Sequence, residues 1–217
     1  MSNYSGPVPG SAVRGTASGV LFMGGFGTLW SYTGVMGLQG WGSPWLMIIA
    51  LLVGVTLIAG GITLIRASRQ LSDRGPVAGP MADKRMRLKF NLIFAAEGIA
   101  IAVTVAICNA TKHPELIPLI AAAIVGLHFL PLAPLFKVNL YYYTGILLCI
   151  LPLLTWLLVP EMLTLGENDI NAYMTIVGLG SALILWGTGL SIWMLGRALL
   201  GRARHEQSKP NIHTISR

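Results

Sequence analysis

Charged residues are scarce in this sequence of 217 residues. Asp, Glu, Lys and Arg together make up 11% of the chain, whereas hydrophobic residues make up 54%. A soluble domain carries about 25% charged residues, so this composition excludes an ordinary soluble protein. The net charge of +7 does not indicate a nucleic-acid partner, because the basic residues lie between apolar stretches and are not accompanied by a binding motif.

Cysteines and the motifs of common cofactor sites are scarce as well. The two cysteines, Cys108 and Cys149, fall within apolar stretches and offer neither a CxxC motif nor a disulfide framework. The sequence contains no phosphate-binding glycine loop, no HExxH zinc motif, no GxSxG nucleophile elbow and no paired histidines suited to haem. We therefore predict no cofactor and no metal site.

Long apolar runs are what the sequence has in abundance. A helix that crosses the hydrocarbon core needs about 20 apolar residues. The sequence predicts an all-α polytopic membrane protein whose six transmembrane helices form a bundle, at about 18–38, 45–65, 90–110, 115–133, 140–159 and 172–195. The glycines of the first helix favour close packing in lipid. We expect this helix to be retained, since it lacks the features of a signal peptide.

Basic segments separate the predicted spans on one side only. We predict a mobile tail at 1–17, a membrane domain at 18–197 with a basic loop at 66–89, and a basic tail at 198–217. With a cytoplasmic N-terminus, one face holds all of the 15 Lys and Arg residues except Lys112. Positively charged loops resist translocation, so both termini are predicted to be cytoplasmic. The predicted location is a cell membrane, either a bacterial inner membrane or a plasma membrane.

Two ionisable side chains interrupt these spans, Glu97 in the third and His128 in the fourth. Ionisable groups in mid-membrane are costly unless neutral, paired or hydrated, so they mark candidate functional sites. By the helical rise, Glu97 lies about 12 Å from Lys89 and His128 about 13 Å from Lys137, at similar depths. The sequence predicts one polar site, for proton coupling or binding, with a structural hydrogen bond as the alternative.

A polar stripe is predicted to extend this site along the third helix. At 100° per residue, Thr104 and Cys108 lie within about 20° of the direction of Glu97. We therefore expect both side chains to line a cavity on the outer side of Glu97.

Two prolines follow His128 and are predicted to shape the inner half of the cavity. Pro131 and Pro134 cannot donate backbone hydrogen bonds, so the fourth helix is expected to kink or unwind there, with Tyr142 nearby as a donor. The alternative is that the prolines simply end this helix near Lys137.

The segment HFLPLAPLFKVNLYYYTG, residues 128–145, resembles a recurring element of small bacterial multispanning membrane proteins of unknown function. The resemblance implies a multi-pass membrane protein and no particular activity.

Two functions remain open at this point. The first is a small transporter or channel-like permease for a small molecule or ion, in which Glu97 is the protonatable group and His128 its partner. The second is a non-catalytic membrane subunit, an assembly or immunity factor, whose first span binds a membrane-protein partner or a second copy of the chain. An enzyme using both residues would need a nucleophile arrangement that the sequence does not show.

Overall fold

The computed structural model describes residues 10–69, 71, 80–166 and 168–207. Within them, six long helices form the fold: α1 Gly10–Gly37, α2 Trp45–Ser68, α3 Pro80–Ala110, α4 Ile117–Phe136, α5 Leu140–Leu158 and α6 Ala172–Gln207. A 3-10 turn, Pro114–Leu116, precedes α4. Consecutive helices that are in contact pack antiparallel to each other. The helix content confirms the predicted all-α class.

A short hairpin replaces the loop expected between α5 and α6. Strands β1, Met162–Leu165, and β2, Asn168–Asn171, pair antiparallel, with Leu163 opposite Ile170. The hairpin is fixed to the bundle because Ile170 is buried. Strands of this length carry too little alternation to be recognised in the sequence.

Five of the described helices, α2 to α6, are long and apolar enough to cross a membrane. The outward faces of these helices carry large apolar side chains, including Leu52, Val55, Ile99, Leu157 and Leu183, each more than half exposed. Exposed apolar surface on this scale is typical of a lipid-facing or partner-facing surface. The first helix, α1, does not meet the same criterion, because glycine, serine and threonine dilute its apolar residues.

Three helices extend beyond the predicted spans. Residues 10–17, predicted as tail, form the start of α1, where Val13 and Ala17 are fully buried against Leu64. The third helix begins inside the predicted loop 66–89, and α6 continues into the predicted tail 198–217. The remaining parts of the predicted tails and loop, 1–9, 70, 72–79 and 208–217, lie outside the described residues.

Glycines allow the closest helix crossings. A Cβ atom added to Gly34 of α1 would lie 2.5 Å from the backbone nitrogen of Leu179 in α6. One added to Gly126 of α4 would lie 2.8 Å from the carbonyl oxygen of Gly145 in α5. Both crossings therefore require glycine, as expected for helices that pack through small residues. The glycine-rich face of the first helix is thus occupied within the chain.

The third helix, α3, stands at the edge of the bundle. Its main packing partner is α4, whereas α1 packs extensively on both α2 and α6. Between α3 on one side and α1, α4 and α6 on the other, the helices leave a partly open cavity. This space contains the two ionisable residues singled out above.

Candidate functional site

Glu97 on α3 and His128 on α4 face each other in the interior. The short turn between these helices makes them antiparallel neighbours, and the Nδ1 atom of His128 lies 3.4 Å from Oε1 of Glu97. The side chains are only 10% and 9% exposed, respectively. The contact is close enough for an ion pair, yet it lacks hydrogen-bond geometry, and Nδ1 has no hydrogen-bond partner among the described residues. The structure thus brings together the two residues for which the sequence predicts similar depths.

The imidazole ring of His128 lies between the rings of Phe94 and Phe129. Six rings follow one another in a closed loop, with neighbouring centroids between 4.5 and 6.3 Å apart. The members are Phe90, Phe94, His128, Phe129, Tyr141 and Phe136. Because edge-to-face and tilted contacts hold rings in defined orientations, the loop fixes the position of the imidazole.

A cavity of about 670 Å³ lies beside this pair. Its wall comes from α1, α3, α4 and α6, with Tyr141 at the start of α5. The cavity extends from Glu97 and His128 towards the end of the bundle where α1 and α3 begin, and Arg87 lies at that end. Most of its wall is apolar, so the few polar groups dominate recognition inside it.

The predicted outer stripe does not join this cavity. Thr104 is half-buried and its hydroxyl donates to the carbonyl of Ala100, 2.9 Å away. Cys108 is buried with a free thiol. Neither side chain is among the described residues that line the cavity, which lies on the other side of Glu97. The hydroxyl of Thr104 thus donates its proton within its own helix.

The residues predicted to shape the inner half also lie outside the cavity wall. The fourth helix does not unwind below His128 but runs without interruption through Pro131 and Pro134, which are both exposed. It ends at Lys137, whose left-handed conformation (φ 55°) forms the C-cap. The prolines thus precede an ordinary helix end, as the alternative interpretation held.

The tyrosine that lines the cavity is Tyr141, which is buried, and not the predicted Tyr142, which is 40% exposed. Successive residues of a helix point about 100° apart. Because α5 begins at Leu140, this rotation separates the inward tyrosine from the outward one.

Sequence reasoning missed most of the aromatic wall. Phe90 and Phe94 precede Glu97 on α3 at helical spacing, which places all three residues on one face. That spacing was available in the sequence. The contribution of Phe22 and Phe26 could not be predicted from the sequence, because it depends on how α1 lies across from α3.

The titratable groups around the cavity are few. Among the described residues that line it, they are Arg87 and Glu97 on α3, His128 on α4 and Tyr141 on α5, while α1 and α6 contribute none. No cluster of three or more His, Cys, Asp or Glu residues in the described part of the chain is placed to hold a metal ion.

Five of the described helices are long and apolar enough to cross a membrane, which fits a multi-pass membrane protein. Residues 87–188 match the model of a protein family described as a family of unknown function, DUF7010. The match contains both Glu97 and His128 as well as residues 128–145, so the resemblance to proteins of unknown function is confirmed. No curated protein and no solved structure matches the chain.

Proposed function

We propose that the protein is a small multi-pass transporter or channel-like permease of the cell membrane, proton-linked through Glu97 and His128. The observation that carries the proposal is a cavity of about 670 Å³ lined by an acid and a histidine, 3.4 Å apart, on two helices long and apolar enough to cross a membrane. Ionisable groups at such a depth typically mark substrate pathways and proton relays.

All six helices cross the bilayer in this proposal. The first helix packs along α2 and α6, which are both long and apolar enough to span, so α1 shares their depth. The basic residues then gather on one face, which the positive-inside rule assigns to the cytoplasm, together with both termini. The cavity therefore opens towards the cytoplasmic half, and the cell membrane is a bacterial inner membrane or a plasma membrane.

The chemistry follows from the charge on Glu97. An ionised carboxylate in this site interacts with His128 or with a bound substrate, whereas a protonated one has no charge to desolvate when the cavity closes. Arg87 and Tyr141 are the other titratable groups that face the cavity. Because α3 packs mainly on α4, it is the helix whose movement would open or close the space.

Proteoliposomes with a trapped pH-sensitive dye provide the test. Small cations, anions and neutral solutes are added in turn, and we expect at least one of them to drive protein-dependent proton movement. The Glu97→Gln variant should abolish this movement. The matched control is Glu115→Gln, which alters an exposed Glu115–His113 pair, 2.8 Å apart, outside the cavity. Full proton movement in Glu97→Gln, or none with the unaltered chain, would contradict the proposal.

The alternative of a non-catalytic assembly or immunity factor stays a prediction. It was based on a glycine-rich first helix that could bind another membrane protein, but Gly34 packs against α6 of the same chain. Such a factor would co-purify with a membrane-protein partner or a second copy, and it would tolerate Glu97→Gln without loss of function.

A further inference from the structure

We propose that the cavity binds an amphipathic organic cation, a molecule with an apolar or aromatic body and one positive charge, placed beside Glu97. This inference rests on the proposed function and names the substrate class of the same site. It depends on the distribution of charge, on the aromatic wall and on the size of the space.

The charge distribution favours a cation at the end of the cavity where Glu97 lies. Among the described lining residues, Glu97 is the one carboxylate and Arg87 the one residue with a permanent positive charge. They lie about 15 Å apart along α3, too far to pair directly. The side chain of Glu97 is 9% exposed, whereas Arg87 is exposed and its charge is screened by water. When Glu97 is ionised and His128 is neutral, the carboxylate of Glu97 is therefore the buried charge of the cavity wall.

The aromatic wall adds a second attraction for positive charge. Phe94 lies one helical turn from Glu97, and its ring centroid is 5.7 Å from that of His128 and 4.9 Å from that of Phe90. Ring faces attract cations within about 6 Å of the centroid. The rings of Phe22 and Phe26 on α1 reach Phe94 from the opposite side, at 5.8 and 6.4 Å. A cation beside Glu97 would thus lie among aromatic rings.

The size of the cavity excludes a simple inorganic ion as its matched occupant. A volume of about 670 Å³ falls within the range of about 300 to 1,000 Å³ for sites that hold drug-sized molecules. A hard metal cation would also need several oxygen ligands, and the wall here is mainly apolar. A bulky apolar body with a single charge fits both features.

Two probes of the same shape and opposite charge test the inference. Tetraphenylphosphonium and tetraphenylborate are titrated into the full chain in nanodiscs, and binding to empty nanodiscs is subtracted. We expect saturable binding of the phosphonium only. Glu97→Gln should weaken it by at least about tenfold, whereas the control Glu115→Gln should leave it unchanged. Equal or tighter binding of the borate, or unaltered phosphonium binding in Glu97→Gln, would overturn the inference.

A second variant tests the same site without changing Glu97, so the inference does not depend on the folding of Glu97→Gln. Phe94→Leu keeps the apolar volume and the carboxylate but removes the ring. We expect it to weaken phosphonium binding several-fold. Unchanged binding in Phe94→Leu would contradict the aromatic part of the site.

The two experiments distinguish an error in the proposed substrate class from an error in the proposed transport function. If the phosphonium binds through Glu97 but no solute drives proton movement in proteoliposomes, the transport function is wrong and the substrate class stands. If anions or neutral solutes drive Glu97-dependent proton movement and the phosphonium does not bind, the substrate class is wrong and the transport function stands.

Discussion

The hydroxyl groups of Thr144 on α5 and Thr188 on α6 lie 2.8 Å apart in the buried interior. Each is also close to a carbonyl of its own helix, Thr144 at 3.1 Å from Leu140 and Thr188 at 2.8 Å from Ile184. A hydroxyl has one proton to donate, so two of these three contacts form at a time. The shorter distances indicate that Thr188 donates to Ile184 while Thr144 donates to Thr188.

A double-mutant cycle with valine measures this interhelical bond. Thr144→Val or Thr188→Val removes it without leaving an unsatisfied donor, because the remaining hydroxyl can donate to its own helix. We expect a coupling energy of about 0.6 kcal/mol, the average for such bonds in membrane proteins. Equilibrium unfolding of the single and double variants in mild detergent gives the value. Strictly additive effects would show that the two hydroxyls do not interact.

The sequence predicts the number, class and approximate ends of the helices because apolar length is a local property. The extensions of α1 and α6 were missed because helices do not stop where apolar residues stop. Val13 is buried by α2 and α6, not by lipid. Such packing depends on residues distant in the chain, which a window of sequence does not contain.

The candidate site was predictable only in part. The depths of Glu97 and His128 follow from helical rise along two adjacent helices, and the structure places them 3.4 Å apart. The residues expected to surround them depended on the rotation of each helix, and a step of about 100° separates Tyr141 from Tyr142. The rotation of each helix is determined by the helices that it packs against. The part of the wall formed by Phe22 and Phe26 could therefore be recognised only in the folded structure.

The crossing of α1 and α6 should be sensitive to a single methyl group. In Gly34→Ala the added Cβ would lie 2.5 Å from the backbone of Leu179, so one helix must move. We expect a destabilisation of about 1 to 3 kcal/mol, as for other overpacked cores. Gly25→Ala, on the same helix with nothing within 4 Å, is the control and should change stability little. Thermal unfolding in detergent compares the two, and equal effects would contradict the close crossing.

Filling the cavity should block transport without unfolding the protein. Gly15 lines the cavity and has nothing within 4 Å of an added Cβ, so Gly15→Trp can place an indole inside. We expect solute-driven proton movement to fall at least about tenfold while the melting temperature stays close to that of the unaltered chain. Gly25→Trp places the same side chain on α1 outside the cavity wall. Comparable inhibition by both variants would show that the cavity is not the path.

The prolines of α4 should be replaceable. Pro131 and Pro134 are exposed in a continuous helix, so Pro131→Ala and Pro134→Ala restore backbone donors without touching the cavity wall. We expect proton movement within about twofold of the unaltered chain, because neither proline lines the cavity and alanine is favoured over proline by about 3 kcal/mol in a helix interior. A large loss of transport in either variant would show that these prolines contribute to the functional site. Initial rates in proteoliposomes provide the comparison.

The proposed orientation predicts opposite labelling of two lysine positions. Lys112 follows α3 and Lys137 follows α4, at opposite ends of the bundle, and both are exposed. With Cys108 and Cys149 replaced by serine, Lys112→Cys should react in intact cells with a membrane-impermeant maleimide, whereas Lys137→Cys should react only after lysis. The reverse pattern would invert the orientation.

The two helices that pack most extensively on each other, α1 and α6, are the first and the last helices of the described residues. Because α1 is synthesised before α6, the contact between them forms only after α6 has been made. The cavity needs walls from both, so it comes into being only at that moment. A chain truncated before α6 therefore lacks the part of the cavity wall that Leu185, Ile192, Leu195 and Leu199 supply.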